Sequence, residues 1–264
     1  MENVKRWVNQ SAMSDIGRHD AAVAALPANA GALLRAVQGI IIHTEWLHAY
    51  GLDLSRFERV SRDTLPVVER LTLVLNGDGR ELSACRAPAQ RTVGTCRDFA
   101  LMLCAFLRSK GIAARVRCGF ADYFNDGWED HWVCEYWDRD GQCWRLADAQ
   151  LDEMLREKRE VAFDPADMPR GRFMTAGQAW AACRSGECDA ARFGHGDVKG
   201  AWFVKVNVVR DHYSINNREA SAWDSWRAAS GSQRVVADQD LPWLDDIAAR
   251  PEQPVIDVNP DWMR

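Results

Sequence analysis

The stretch GTCRDFALMLCAFLRSKGIAARVRCGF, Gly94 to Phe120, decides the fold. Thr95 and Asp98 bracket a helix start, and the apolar positions Phe99, Leu103, Phe106 and Leu107 then recur on one side until Lys110 and Gly111 end the run. Cys96 therefore falls in the first turn. After Gly111 the period changes from 3.6 to 2. Residues Ala113 to Gly119 alternate, His131 to Trp137 (HWVCEYW) is β-rich, and Trp144 to Asp148 (WRLAD) is short and apolar. The RDG run at Arg139 to Gly141 folds the last two together as a hairpin. The pattern predicts one helix packed on antiparallel strands.

That order brings together residues of complementary chemistry. A thiol at a helix N-terminus sees outward-directed N–H groups and the positive end of the macrodipole, and both favour thiolate. An imidazole can take the thiol proton and later return it to a leaving amine, which makes His131 the natural base. A carboxylate on the adjoining strand can hold the imidazole tautomer, and Asp148 is placed for it. Cys104, two turns further along the same helix on its apolar side, reads as core. Asp152, past the strand, reads as a cap for the segment after it, Asp98 as a first-turn charge complementing the dipole, and Arg97 as an ion-pair partner or a contact for a substrate carboxylate.

Outward from this centre the reading is coarser. Gly31 to Tyr50 has near-helical apolar spacing and a stop at Gly51, predicting one long buried helix, and Asp63 to Leu75 predicts a shorter one before the turn at Asn76 to Arg80. Thr175 to Cys183 predicts a short helix, Gly200 to Val209 (GAWFVKVNVV) a strand, Ala220 to Ala229 a helix, and the stretch from Pro242 an extended tail. His43 and His48, five apart, would stand about 140° apart on a helix, so a shared metal is not expected. Cys183 and Cys188, with His195, form too thin a set for zinc.

The chain has 264 residues, is 47% hydrophobic and 27% charged, and carries a formal charge of -5 with both signs interspersed, which excludes a nucleic-acid stripe. Neither a signal peptide nor a membrane span is expected, because Arg35, His43, Glu45 and His48 interrupt the most apolar window. Eight cysteines in a chain too large to need a disulfide framework point to reduced thiols in the cytoplasm. Twelve Trp is several times the average, and most should be core anchors.

The segments GTCRDFALMLCAFLRSKGIAARVRCGF, EDHWVCEYW (Glu129 to Trp137) and WRLADAQLD (Trp144 to Asp152) together resemble the transglutaminase-like superfamily of papain-like cysteine enzymes, in its bacterial branch. Gly94 with Cys96, His131 with Trp132, and Trp144 with Asp148 match position by position, from about Thr92 to Asp152. The resemblance implies catalytic Cys96, His131 and Asp148, a thioester on Cys96, an oxyanion held partly by the Cys96 N–H, and a second donor from an upstream side chain left unplaced. Arg97 and Trp132 are candidate substrate contacts, and no cofactor or metal is expected. The expected fold is α+β with a papain-like core: a helical N-terminal region over 1–80, the catalytic core over 81–160 and an α/β extension over 161–264. The expected reaction is hydrolysis of an amide or peptide bond in a small molecule or peptide. The alternatives are acyl transfer to an amine and a binding module without activity.

Overall fold

The computed structural model describes residues 2–57, 66–219 and 231–255. Two compact units divide the chain, one comprising Met1–Val116 and Val133–Met168, the other Arg117–Trp132 and Pro169–Arg264. The class is α+β, as expected.

In the first unit, α1 (Asp20–Ala24) and α2 (Ala30–Ile40) lead into β1 (Ile41–His43), followed by a 3-10 stretch, Thr44–Tyr50. The single long helix expected from Gly31 to Tyr50 is thus broken after Ile40. Three consecutive isoleucines, Ile40 to Ile42, are stiff at χ1 and favour extended backbone, and β1 finds a parallel partner in β2 (Thr92–Gly94), with His43 opposite Gly94. The stop at Gly51 stands, with φ at 69°. Helix α3 (Val67–Asp78) ends on Gly79, at φ 65°, within the expected turn; the start of the Asp63 to Leu75 expectation lies outside the described residues.

Helix α4 (Cys96–Ser109) is the centre of this unit, and every residue from Arg97 to Arg108 is buried. Strand β3 (Ala114–Ala121) follows, then β4 (Trp128–Asp138) and β5 (Cys143–Ala147), which pair antiparallel from Cys134 opposite Ala147 to Asp138 opposite Cys143. Strand β3 is buried at all eight positions, so its apolar–polar alternation does not mark a wet face. Its arginines are instead ion-paired: Arg115 lies 2.8 Å from Glu135, with its guanidinium 4.0 Å from the Trp144 ring and 4.7 Å from Trp7. Two of the many Trp are thereby accounted for, as flat partners of a buried cation. A short α5 (Glu153–Lys158) closes the unit, capped by Asp152 through its bond from the Leu155 N–H.

The second unit receives the ends of β3 and β4. There β6 (Phe173–Thr175) pairs antiparallel with β3, β7 (Phe193–His195) pairs parallel with β4, and β8 (Val198–Lys199) pairs with β7. Its core gathers Phe120, Trp180, Phe193, Phe203, Val206, Leu244 and Ile247 from the strands and from α6 (Ala176–Ser185), α7 (Ala201–Ile215) and α8 (Leu241–Ala249). Helix α6 begins after Thr175 as expected, with a capping box to Gln178. A Cβ at Gly177 would stand 2.5 Å from the Ala248 carbonyl oxygen, so α6 and α8 approach closely only because that residue is glycine.

Two expectations fail here. GAWFVKVNVV belongs to a helix, not a strand. Twelve of the fifteen α7 residues are buried, so there is no polar stripe to reveal the 3.6 period, and only the length of the element separates the two readings. The expected extended tail begins instead as α8, which holds residues 242–249 with the proline in its first turn, where its missing N–H does no harm; residues 256–264 lie outside the described residues. The helix expected at Ala220 to Ala229 lies outside the described residues.

Candidate active site

Cys96 is the first residue of α4. Thr95 before it is extended, at φ -120° and ψ 172°, as an N-cap must be. The Asp98 carboxylate accepts the Thr95 backbone N–H at 2.8 Å and its hydroxyl at 3.2 Å. Arg70 of α3 anchors the same carboxylate at 3.1 Å and donates to the Val93 carbonyl at 2.6 Å, while Arg97 reaches the other carboxylate oxygen at 3.4 Å. Asp98 is therefore more than a charge beside a dipole. It ties the first turn of α4 to β2 and α3. The motif glycine has a packing reason: a Cβ at Gly94 would lie 3.0 Å from Ile41 Cγ2, 3.1 Å from Asp98 Oδ2 and 3.2 Å from Arg70 Nη1.

Cys96 is partly exposed, whereas Cys104, Cys118 and Cys134 are buried. Burial, then the neighbouring Cys104, pushes the Cys134 thiol well above its usual range. That thiol is held protonated.

Asp148 follows the last residue of β5 and is 1% exposed. Its N–H donates to the Pro165 carbonyl at 2.8 Å, and its Oδ1 accepts the Gln150 N–H at 2.9 Å. Backbone thus fixes the residue on both sides. The β4–β5 ladder ends with Cys134 opposite Ala147, one residue before Asp148.

In the second unit, His131 lies on β4 and is 2% exposed. Its ring centroid is 4.8 Å from that of Phe124 and 5.9 Å from that of Tyr123, both edge-on, and both aromatics come from the connection between β3 and β4. Flanking residues are also held. Glu129 accepts from Asn125 at 2.7 Å and pairs with His195 Nδ1 at 2.6 Å. Asp130 accepts from Asn207 Nδ2 at 2.6 Å, with Arg210 at 3.9 Å. Burial raises the Asp130 carboxyl above its ordinary range, against the pull of the Arg210 guanidinium. On a strand the side chains alternate, so Glu129, His131 and Val133 share one face, and Asp130 and Trp132 the other.

The two candidate substrate contacts, Arg97 and Trp132, are each 1% exposed. His43 and His48 do not share an α-helix: His43 ends β1, and His48 lies exposed in the following 3-10 stretch. Among the described residues no group of three or more His, Cys, Asp or Glu side chains could hold a metal ion. No described helix is long and apolar enough to cross a membrane. Arg70, Tyr123 and Phe124 stand at the candidate site without belonging to its sequence motif. For Arg70 no local signal exists, since it meets Asp98 across 28 residues; the adjacent aromatics Tyr123 and Phe124 lie just ahead of the histidine strand, and their pairing in sequence is the local signal for them.

Residues 59–149 match the family model of the transglutaminase-like superfamily, a wider span than the motif residues alone suggested. No curated protein matches the chain. Among solved structures, a crystal structure of a Cytophaga hutchinsonii protein provisionally named a cysteine protease is similar at 13% identity and a TM-score of 0.42, covering 66% of this chain. The chain spans 46% of that protein's length. The family match supports cysteine-based catalysis in general terms.

Proposed function

We propose, from the match of residues 59–149 to the transglutaminase-like family model, that the chain is a cysteine hydrolase acting through Cys96, His131 and Asp148 on an amide or peptide bond. The observation that carries this reading is the position of Cys96 as the first residue of an anchored helix. There the helix dipole and outward N–H groups favour thiolate, and the thiol is partly exposed while Cys104, Cys118 and Cys134 are buried.

The Cys96 sulfur attacks the carbonyl carbon as His131 takes the thiol proton. The carbonyl π pair moves to oxygen, giving a tetrahedral oxyanion beside the Cys96 N–H. On collapse the C–N bond breaks, His131 returns the proton to the departing amine, and an acyl thioester remains. Water, deprotonated by His131, attacks the thioester and releases the acid and the free thiol. Asp148 holds the imidazole so that the correct nitrogen faces sulfur. What supports this pairing is chain placement: Asp148 comes one residue after Ala147, the last residue of β5, and His131 lies on β4, the strand with which β5 pairs.

Arg97 and Trp132, buried as they are, act as supports for the nucleophile turn and the histidine strand, not as substrate contacts. We further propose a cytoplasmic location, because a chain of this length, with eight cysteines, needs no disulfide framework to hold its core. The substrate is a small-molecule or peptide amide, with no cofactor.

Trapping the thioester tests the reaction type. A chain acylated with an activated ester is exposed to water with and without millimolar primary amines, and the products are separated by mass. Release of free acid at an unchanged rate is expected. Amide product that dominates as amine is added assigns the chain to acyl transfer, and absence of any Cys96 adduct assigns it to binding without catalysis.

A further inference from the structure

Two cysteines of the second unit flank the turn that ends α6. Cys183 lies in the last turn of that helix, which runs to Ser185 and stops on Gly186 at φ 78°, a left-handed conformation that glycine takes without strain. The Gly186 N–H donates to the Cys183 carbonyl at 3.3 Å, and the Cys188 N–H then donates to the Ala182 carbonyl at 3.1 Å. The chain thus folds back on the turn it has just left. A disulfide needs Cα atoms within about 7 Å of each other. The Ala182 carbonyl belongs to the peptide unit that leads into Cys183, so a bond to it from Cys188 brings the two Cα atoms to about that range.

Both side chains stand as half-buried thiols packed against the core of this unit, while Arg184 to Glu187 between them are exposed. Burial, then the nearby Cys188 and Asp189, pushes the Cys183 thiol up to about 11. Cys183 is accordingly a poor first attacker on an outside electrophile, because the thiolate is the nucleophile. It is well placed for a second attack, on a neighbour that has already reacted.

We infer that Cys183 and Cys188 form a dithiol modification site that low-molecular-weight disulfides oxidise reversibly to an intrachain disulfide. The Cys188 thiolate attacks one sulfur of the small disulfide, that S–S bond breaks, and one small thiolate leaves and takes up a proton. Cys188 then carries a mixed disulfide, and the charge it could hold no longer opposes thiolate formation at Cys183. Having lost its proton to solvent, the Cys183 sulfur attacks the Cys188 sulfur and expels the second small thiolate. In balance, the two protein thiols give up two electrons and two protons, and one small disulfide becomes two thiols. Neither Cys96 nor His131 takes part, so the site stands or falls apart from the proposed hydrolysis.

Trypsin separates the two states, because it cuts after Arg184, between the cysteines. The folded full chain is incubated with millimolar oxidised glutathione and quenched with N-ethylmaleimide, and its monomer band from a non-reducing gel is digested. The parent should yield the peptides Phe173 to Arg184 and Ser185 to Arg192 as a single joined mass that dithiothreitol parts. This joining should run about tenfold or more faster than any link between the buried Cys104 and Cys134. C183S should stop at a glutathione adduct on Cys188, and C188S should give no joined mass. Recovery of the two peptides separately from the parent, each bearing maleimide or each bearing glutathione, would overturn the inference. So would a link between Cys104 and Cys134 that forms as fast, because it places the chemistry in unfolded chain.

Discussion

The Asp98 carboxylate accepts the backbone N–H of Thr95 at 2.8 Å, and so closes the turn that presents Cys96. The same carboxylate is the meeting point of two buried guanidiniums, Arg70 and Arg97. Removing it in D98A deletes a cap contribution of about 1 kcal/mol and strands buried positive charge at a further cost of about 3 kcal/mol or more. Urea unfolding should show a loss of roughly 3–5 kcal/mol for D98A. D98N, which keeps an oxygen for the Thr95 N–H but no charge, should lose most of that amount. If D98N matches the parent, the guanidiniums do not depend on this carboxylate.

In the second unit, Arg117 and Asp211 form a buried bidentate pair, 2.9 and 2.7 Å long, and the Cys118 N–H donates to the same carboxylate at 2.9 Å. Breaking it by R117M alone should destabilise by about 3–5 kcal/mol. D211L should cost more, because a backbone donor is stranded as well. The double variant should recover part of the sum, and a double-mutant cycle with no coupling would contradict the pairing.

Phe124 packs on the His131 ring with centroids 4.8 Å apart. F124L keeps the bulk but removes the aromatic contact, which in such pairs contributes about 0.5–1.5 kcal/mol. The expected outcome is a fall of up to about tenfold in kcat/KM on an ester probe with the melting temperature little changed. A variant of full activity would show that His131 needs no such neighbour.

Much of the candidate site was legible because it is local. Thr95, Cys96 and Asp98 lie within four residues, and a capping pattern there has one structural meaning. The hairpin of β4 and β5 was legible from RDG and the alternation around it, and Asp152 from its position ahead of α5. What escaped was set by distant partners. Arg70 meets Asp98, Arg117 meets Asp211, and β1 exists because β2 lies alongside it, none of which leaves a trace in a window of ten residues. Helix α7 escaped for the reason that its surroundings hide its period: Asn207, Arg210 and Asp211 are buried in bonds to β-strand residues, so polar positions do not mark a solvent face.

His212 on α7 gives the chain a pH dependence of predictable sign. Burial lowers its pKa below the ordinary 6.5, outweighing the Pro251 carbonyl and the nearby Asp211 and Asp246 carboxylates, which raise it. Its Nδ1 lies 2.9 Å from that carbonyl, which fits a neutral ring donating there. A base with a lowered folded-state value is most stabilising above the unfolded value near 6.5, and this contribution is lost as pH falls below it, because the unfolded chain takes up the proton first. The parent should lose stability from pH 7 to pH 5 in urea titrations, and H212Q should lose less. Parallel curves for the two would contradict the assignment.

The central claim, that Cys96 is an activated nucleophile served by His131, is tested most directly by the pH dependence of iodoacetamide labelling, resolved by peptide mass spectrometry for all eight cysteines. The account predicts that Cys96 labels well below pH 8 and far faster than Cys85 and Cys143, the two exposed thiols, and that H131A moves its profile toward that of an ordinary thiol near pH 8.5. Labelling of Cys96 no faster than Cys85 and Cys143, with a midpoint near 8.5 in the parent, would contradict it.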